Sequence, residues 1–271
     1  MMRTTLVLAA TGLLVLAGAA AGQRGAKTAA SAPASAAAID PAAMKLLQRL
    51  EAAGKKFPNI TANIDYVVDL VQAGDKERRT GKVYYQAADP TKNRPACFRI
   101  HFDTLSQSGG PRIKNVVDYV FDGAWLTVRK ERIKQLIRYQ VAPPGKKIEP
   151  LQLGKGPFPV PFGQKARRVT EYFKVTTRQP RKGDPPKTDY LRLVTRKRHQ
   201  RELTVRWLQM WVSTDTALPV KIIAGDRSQN VSTVAFDKIE TPKSFPKDTF
   251  DLPTPGRDWD VRVELYRGHV R

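Results

Sequence analysis

Beyond Asn59 the chain reads as one short strand after another, and this succession limits the fold more than any other feature. Ile60, Ala62 and Ile64 alternate with Thr61, Asn63 and Asp65, and the run continues through Tyr66–Val71. Strand patterns recur at Gly81–Gln86, Cys97–Phe102, Asn115–Phe121, Trp125–Arg129 and Gln135–Tyr139. They resume at Tyr172–Thr177, Asp189–Thr195, Thr204–Val212, Pro219–Ala224 and Asn230–Ile239. Successive side chains on a strand point to opposite faces, so alternation means one face packed and one face wet. Asp122-Gly123 between two runs is a hairpin signal, because Gly tolerates the positive φ of tight turns. The series predicts an antiparallel meander of roughly ten strands, closed or half-closed on itself so that few edges stay open.

One helix precedes the strands. Asp40 before Pro41 is a cap followed by a residue preset for the first helical position. Met44, Leu46, Leu47 and Leu50 recur at helical spacing, so one face must pack, and Gly54 is a stop signal. Pro143–Gly163 interrupts the strand series, and its Phe158-Pro-Val-Pro-Phe162 stretch holds apolar residues that cannot join a long helix. Arg181–Lys187 reads as a polar loop, and Arg196-Lys-Arg198 as a hairpin tip.

Met1–Gly22 has the three-part layout of a secretory signal peptide. Arg3 is followed by the apolar run Leu6–Ala17 and the small residues Ala19-Ala20-Ala21. The run is shorter than the roughly 20 residues a spanning helix needs. Gln23–Ala38 reads as a flexible Ala/Ser-rich linker. The expectation is an exported chain whose residues 39–271 form a single domain. The net charge of +22 implies attraction to polyanions or an anionic membrane surface. The basic residues are spread along the chain, and the Arg196-Lys-Arg198 run has no interleaved aromatics, which speaks against nucleic-acid binding. A single cysteine, Cys97, excludes an intramolecular disulfide framework and reads as a buried, inert thiol.

The search for chemistry finds little. His101, His199 and His269 lie far apart, and no His-x-His, His-Glu-x-x-His or Cys-x-x-Cys spacing occurs. No Gly-x-Ser-x-Gly elbow or phosphate-binding glycine loop is present. Asp258 and Asp260 share a face around Trp259, most simply a solvated strand face. No nucleophile–base pair can be named, so the reading is a non-enzymatic protein without metal or cofactor. The sheet carries more apolar surface than one helix can cover. A curled antiparallel sheet can hold an apolar cavity suited to an acyl chain, each buried methylene contributing roughly 0.8 kcal/mol.

Three stretches resemble the periplasmic outer-membrane lipoprotein carriers, the LolA-like family. They are Gly81-Lys-Val-Tyr-Tyr-Gln86 with Arg94-Pro-Ala-Cys-Phe98-Arg-Ile100; Tyr119-Val-Phe-Asp-Gly-Ala-Trp125-Leu-Thr-Val128; and Asp237-Lys-Ile-Glu240 with Phe245-Pro-Lys-Asp-Thr-Phe250-Asp-Leu-Pro253. The resemblance implies an unclosed β-barrel, a half-barrel covered by the N-terminal helix and a lid segment, here Pro150–Gln164. It further implies a monomeric carrier that takes acylated lipoproteins from an inner-membrane release complex to an outer-membrane acceptor. The family's lid-locking arginine falls by motif on Arg94, preceded here by an inserted Ala87–Asn93. Tyr66, Tyr84, Phe98, Ile100, Val120, Trp125, Trp207 and Trp211 are the expected cavity lining. The alternative is a basic exported module docking on anionic lipid or envelope polymer with no internal ligand.

Overall fold

A computed structural model describes residues 40–143 and 162–266. The leader, the linker and the Pro150–Pro161 part of the expected lid lie outside the described residues. Helix α1 spans Pro41–Lys56 and runs two residues beyond Gly54. Asp40 caps it by accepting a hydrogen bond from Ala42 N at 3.0 Å, and Lys55 and Lys56 complement the helix dipole in the last turn. Ala43, Leu46, Leu47, Leu50 and Ala53 form its buried stripe. Each leucine so buried stabilises the fold by about 1.5–3 kcal/mol relative to exposure.

Twelve strands follow: β1 Asn59–Leu70, β2 Asp75–Gln86, β3 Cys97–Gln107, β4 Ile113–Phe121, β5 Trp125–Lys130, β6 Gln135–Gln140, β7 Phe173–Arg178, β8 Thr188–Thr195, β9 Val205–Ser213, β10 Pro219–Asp226, β11 Val231–Glu240 and β12 Asp260–Glu264. They form one sheet in the order β12-β6-β5-β4-β3-β2-β1-β11-β10-β9-β8-β7. Two antiparallel meanders, β1–β6 and β7–β11, thus meet where β1 pairs β11. The ends of the order do not pair, so the sheet is an open half-barrel. Asp122 Oδ1 accepts from Ala124 N and Trp125 N at 3.0 and 2.8 Å, which builds the turn between β4 and β5.

Two elements depart from expectation. A short helix α2, Ala166–Tyr172, precedes β7, and Glu51 of α1 accepts from its Ala166 N at 3.0 Å. β12 pairs β6 in parallel, the one parallel pair among the described strands. Its sequence Asp260-Val-Arg-Val-Glu264 alternates polar and apolar residues, but all five are exposed, so the alternation marks an edge strand with no packed face. Arg196–Arg198 does sit at the tip between β8 and β9, in a short 3-10 turn.

Alternation sorts the sheet into two faces. The inner face carries Ile60, Ala62 and Ile64 of β1, Val83 and Tyr85 of β2, and Phe98, Ile100 and Phe102 of β3. Across β1 it continues through Phe236, Val234, Ile222, Met210, Leu208, Leu191 and Leu193. These residues and the α1 stripe form one contiguous core. Gly81 lies at the β2–β3 bulge on this face, where an added Cβ would stand 1.9 Å from His101 O, so only glycine fits.

Candidate functional site

The inner face differs from one half of the sheet to the other. Over β7–β11 it is sealed: Leu191, Leu193, Leu208 and Ile222 are 0% exposed. The start of α1 is tied to that half. Arg49 donates to Asp189 at 2.7 Å and to Thr214 O at 3.0 Å, and Asp40 accepts from Thr177 N at 3.2 Å. Over β3–β6 the lining is Phe98, Phe121 and Leu126 in one row, Ile100, Tyr119, Val128 and Ile137 in the next, and Phe102 with Val117 beyond. Tyr119 and Leu126 there are only half-buried, and Val117, Val128 and Ile137 are buried outside the contiguous core made with α1. Phe162, at the end of the expected lid segment, is buried between Tyr85 and Phe236 with ring centroids 5.7 and 5.3 Å away.

One end of this apolar lining is charged. Arg79 of β2 lies between Tyr66 of β1 and Leu105 of β3 on the inner face. Tyr66 stacks on Phe102 at 5.9 Å, and Phe102 meets Tyr119 edge-on at 6.3 Å. Burial pushes the Tyr66 phenol up to about 12, while the Arg79 charge opposes the rise. Tyr119 is raised for the same reason, again against Arg79. Arg79 reaches Glu77 through Nη2 at 3.4 Å, and its Nη1 is buried with no hydrogen-bond partner among the described residues. A buried donor left unpaired costs about 1–3 kcal/mol. The strand expected at Gly81–Gln86 in fact begins six residues earlier, at Asp75, and so takes in this arginine. Extending the alternation Tyr85, Val83, Gly81 backwards reaches Arg79.

The eight expected lining residues do not converge. Tyr66, Phe98 and Ile100 face inward, whereas Tyr84, Val120, Trp125, Trp207 and Trp211 occupy the outer face. Tyr84 meets Phe245 edge-on at 6.0 Å. Trp125 lies under Arg138 at 4.8 Å. Trp207 covers Gly225, where a Cβ would come within 2.4 Å of the indole. Trp211 donates to Asp184 Oδ1 at 2.8 Å and packs against Tyr190. Arg94 follows the short 3-10 turn Pro90–Lys92 that fills the insertion, and pairs its backbone with Asp89. Its Nε is buried without a partner, and among the described residues its side chain makes no hydrogen bond or ion pair. Cys97 is half-buried beside Pro95 O rather than enclosed.

The outer face is held by polar groups. Asp118, 2% exposed, accepts from Arg99 Nε at 2.9 Å and pairs with His101 Nδ1 at 2.8 Å. His101 Nε2 meets Asp103 at 3.0 Å, and Arg99 Nη1 donates to Thr249 O at 3.1 Å. The hydrogen bond that His101 donates to the Asp118 carboxylate holds the imidazole above its ordinary pKa. Burial works against the Asp118 carboxylate, but His101 and Arg99 outweigh it and keep it below the usual range. The segment after β11 straps this face: Asn59 donates to Pro242 O and Lys243 O, and Arg129 lies over Trp259 at 4.4 Å. Asp258 pairs with Lys134, and Asp260 with Arg262, so these carboxylates are neutralised singly.

Hollows lined by described residues carry charged side chains in their walls. One lies on the outer face among Asn63, Asp65, Lys82, Asp103 and Asp237, another beside α1 among Lys45, Arg49, Arg178 and Asp189. Among the described residues no group of three metal-ligating side chains occurs. None of the described helices is long and apolar enough to cross a membrane.

No protein-family model matches the sequence, and no curated protein matches it. Similar solved structures include an uncharacterized conserved protein from Thermus thermophilus. It is 12% identical, with 82% of this chain and 99% of that one covered at a TM-score of 0.47. A putative outer membrane lipoprotein-sorting protein domain from Vibrio parahaemolyticus is 10% identical, with 78% and 96% covered at 0.40. A LolA superfamily protein from Nitrosomonas europaea is 14% identical, with 77% and 96% covered at 0.36.

Proposed function

We propose that the protein is a non-enzymatic exported carrier that binds the acyl chains of lipids or lipoproteins against the inner face of the open sheet. In this reading it is a periplasmic shuttle that accepts cargo from an inner-membrane release complex and delivers it toward the outer membrane. One observation supports it above the rest. On the β3–β6 half of the inner face Val117, Val128 and Ile137 lie outside the core that α1 completes, and Tyr119 and Leu126 at its margin are only half-buried, on a sheet that does not close. Hydrocarbon in contact with such a surface gains about 25 cal/mol per Å² removed from water. Tyr66, Phe98 and Ile100 are the sequence-predicted residues on that face, and Phe121, Tyr119 and Val128 join them. Lid-locking by Arg94 is part of the proposal: its partnerless Nε is a donor for a lid carbonyl.

The test is a titration of the purified full chain with a fluorescent fatty acid at low and high salt. Saturable binding of similar strength at both, weakened by Ile100→Asp in a variant that still melts cooperatively, is the expected result. Exclusion of every acyl probe ends the carrier reading.

The second reading, docking on an anionic surface, is favoured by one end of the molecule. Arg167 and Arg168 of α2 are exposed, and so are Lys197, Arg198 and Arg201 at the neighbouring hairpin tip. Arg198 reaches Glu171 O of α2 at 3.3 Å, which holds the two segments together. This docking requires binding to anionic vesicles that collapses with salt, since exposed charges are screened over about 8–10 Å.

A further inference from the structure

We propose that Arg79 holds the anionic head, a carboxylate or phosphate oxyanion, of an amphiphile whose hydrocarbon part lies on the β3–β6 lining. The inference rests on the carrier reading and adds to it the chemical class of the cargo. Three observations carry it. The Arg79 guanidinium stands on the inner face between Tyr66 and Leu105, where the adjoining rows are hydrocarbon and ring. Its Nη1 is buried and, among the described residues, donates to nothing, a state native proteins rarely keep unless something else supplies the acceptor. Its internal counter-ion is poorly matched: Glu77 sits at 3.4 Å from Nη2 and also accepts from Gln107 at 3.4 Å.

A guanidinium offers five N–H groups in a planar fork suited to two oxygens of one oxyanion. The Tyr66 and Tyr119 rings flank the position, and both phenols sense the Arg79 charge. The chain of the amphiphile then continues from the Phe102–Tyr119 contact toward Val128 and Leu126. Glu77 and Asp226 are the acidic groups whose charge reaches Tyr66 in this region, and Glu77 is the one that competes for Arg79.

The experiment compares three ligands of equal chain length, lauric acid, dodecyl phosphate and dodecanol, by titration calorimetry on the full chain at pH 7.5. The wild type is expected to bind at least one ionised ligand about tenfold to hundredfold tighter than the alcohol, the range of a charge-assisted hydrogen bond. Which anion binds tighter identifies the head. Arg79→Gln should erase the preference and leave dodecanol unchanged, and Arg79→Lys should keep part of it. Glu77→Gln should widen the preference by freeing the second guanidinium nitrogen. Arg168→Gln with Arg198→Gln should leave it alone, separating a built site from general basic attraction. Should Arg79→Gln fail to melt cooperatively, Glu77→Gln and the wild-type comparison decide. Equal binding of acid, phosphate and alcohol, or a preference that survives Arg79→Gln, overturns the head-group site and spares the carrier reading. Binding of none of the three overturns both.

Discussion

The inner and outer faces of this sheet come from the same alternating strands, yet they exclude water by different physics. On the inner face Ile100, Phe102, Leu191 and Leu208 are covered by other hydrocarbon and are 0% exposed. On the outer face Asp118 is nearly as buried, but Arg99, His101 and a strap of irregular chain bury it. Trp211 is likewise covered by a loop through Asp184, which also takes two guanidinium hydrogen bonds from Arg178. Aromatic content therefore does not reveal a ligand-facing surface. Trp207 and Trp211 cap backbone and loops, while the candidate site uses Tyr66, Phe102 and Tyr119.

Substitutions separate the two faces. Phe102→Ala removes a fully buried inner ring and should cost about 3–5 kcal/mol in chemical denaturation. A loss below about 1 kcal/mol would mean the inner face is loosely filled near Phe102. Asp118→Asn strips the charge that Arg99 and His101 share, and should cost about 1.5–3 kcal/mol. A neutral result would show the strap alone holds the outer face.

The pH dependence of the same cluster sharpens the contrast. Because His101 is raised on folding, its contribution is complete below the unfolded value of 6.5 and disappears as pH rises through the folded value. Because Asp118 is lowered, its contribution is present above 3.8 and is lost as pH falls through the folded value. The stability cost of His101→Gln should thus be largest at mildly acidic pH and shrink in alkaline buffer, whereas that of Phe102→Ala should stay flat. Melts of both variants from about pH 5 to 9, read against wild type, check this. The smallest effect is expected at the β7–β8 loop. Asp184→Ala removes the acceptor of the buried Trp211 N–H and of two Arg178 hydrogen bonds. It should change the tryptophan emission, and the unpaired Trp211 donor should cost about 1–3 kcal/mol in chemical denaturation.

Much of the fold was legible in the residues. The capped helix at Asp40, the Asp122-Gly123 turn and the period-two strands follow local rules, because backbone geometry alone sets the side-chain alternation. Less of the site was legible. Alternation tells which residues share a face but not which face turns inward, so the expectation fell on Tyr84, whereas its neighbour Tyr85 turns inward and packs on Phe162. Arg79 hid because Arg78 and Arg79 adjoin in a polar stretch, and only the β2 register shows that Arg78 meets Asp65 outside while Arg79 points in. The Arg99–Asp118–His101 cluster was half visible, since Arg99, His101 and Asp103 alternate on β3. Asp118 belongs to another strand, and pairing fixed its place opposite His101.

What the sequence determined by itself is local: a helix with one greasy stripe, strands with two unlike sides, turns where glycine or aspartate permits them. Those features follow from torsion angles and from the cost of wetting hydrocarbon over a few residues. The tertiary structure decided which side became the interior, that β12 returns parallel to β6, and that a guanidinium nitrogen of Arg79 is buried with no acceptor beside it among the described residues. Such outcomes depend on contacts between residues far apart in the chain, whose geometry exists only once both meanders have met along β1 and β11.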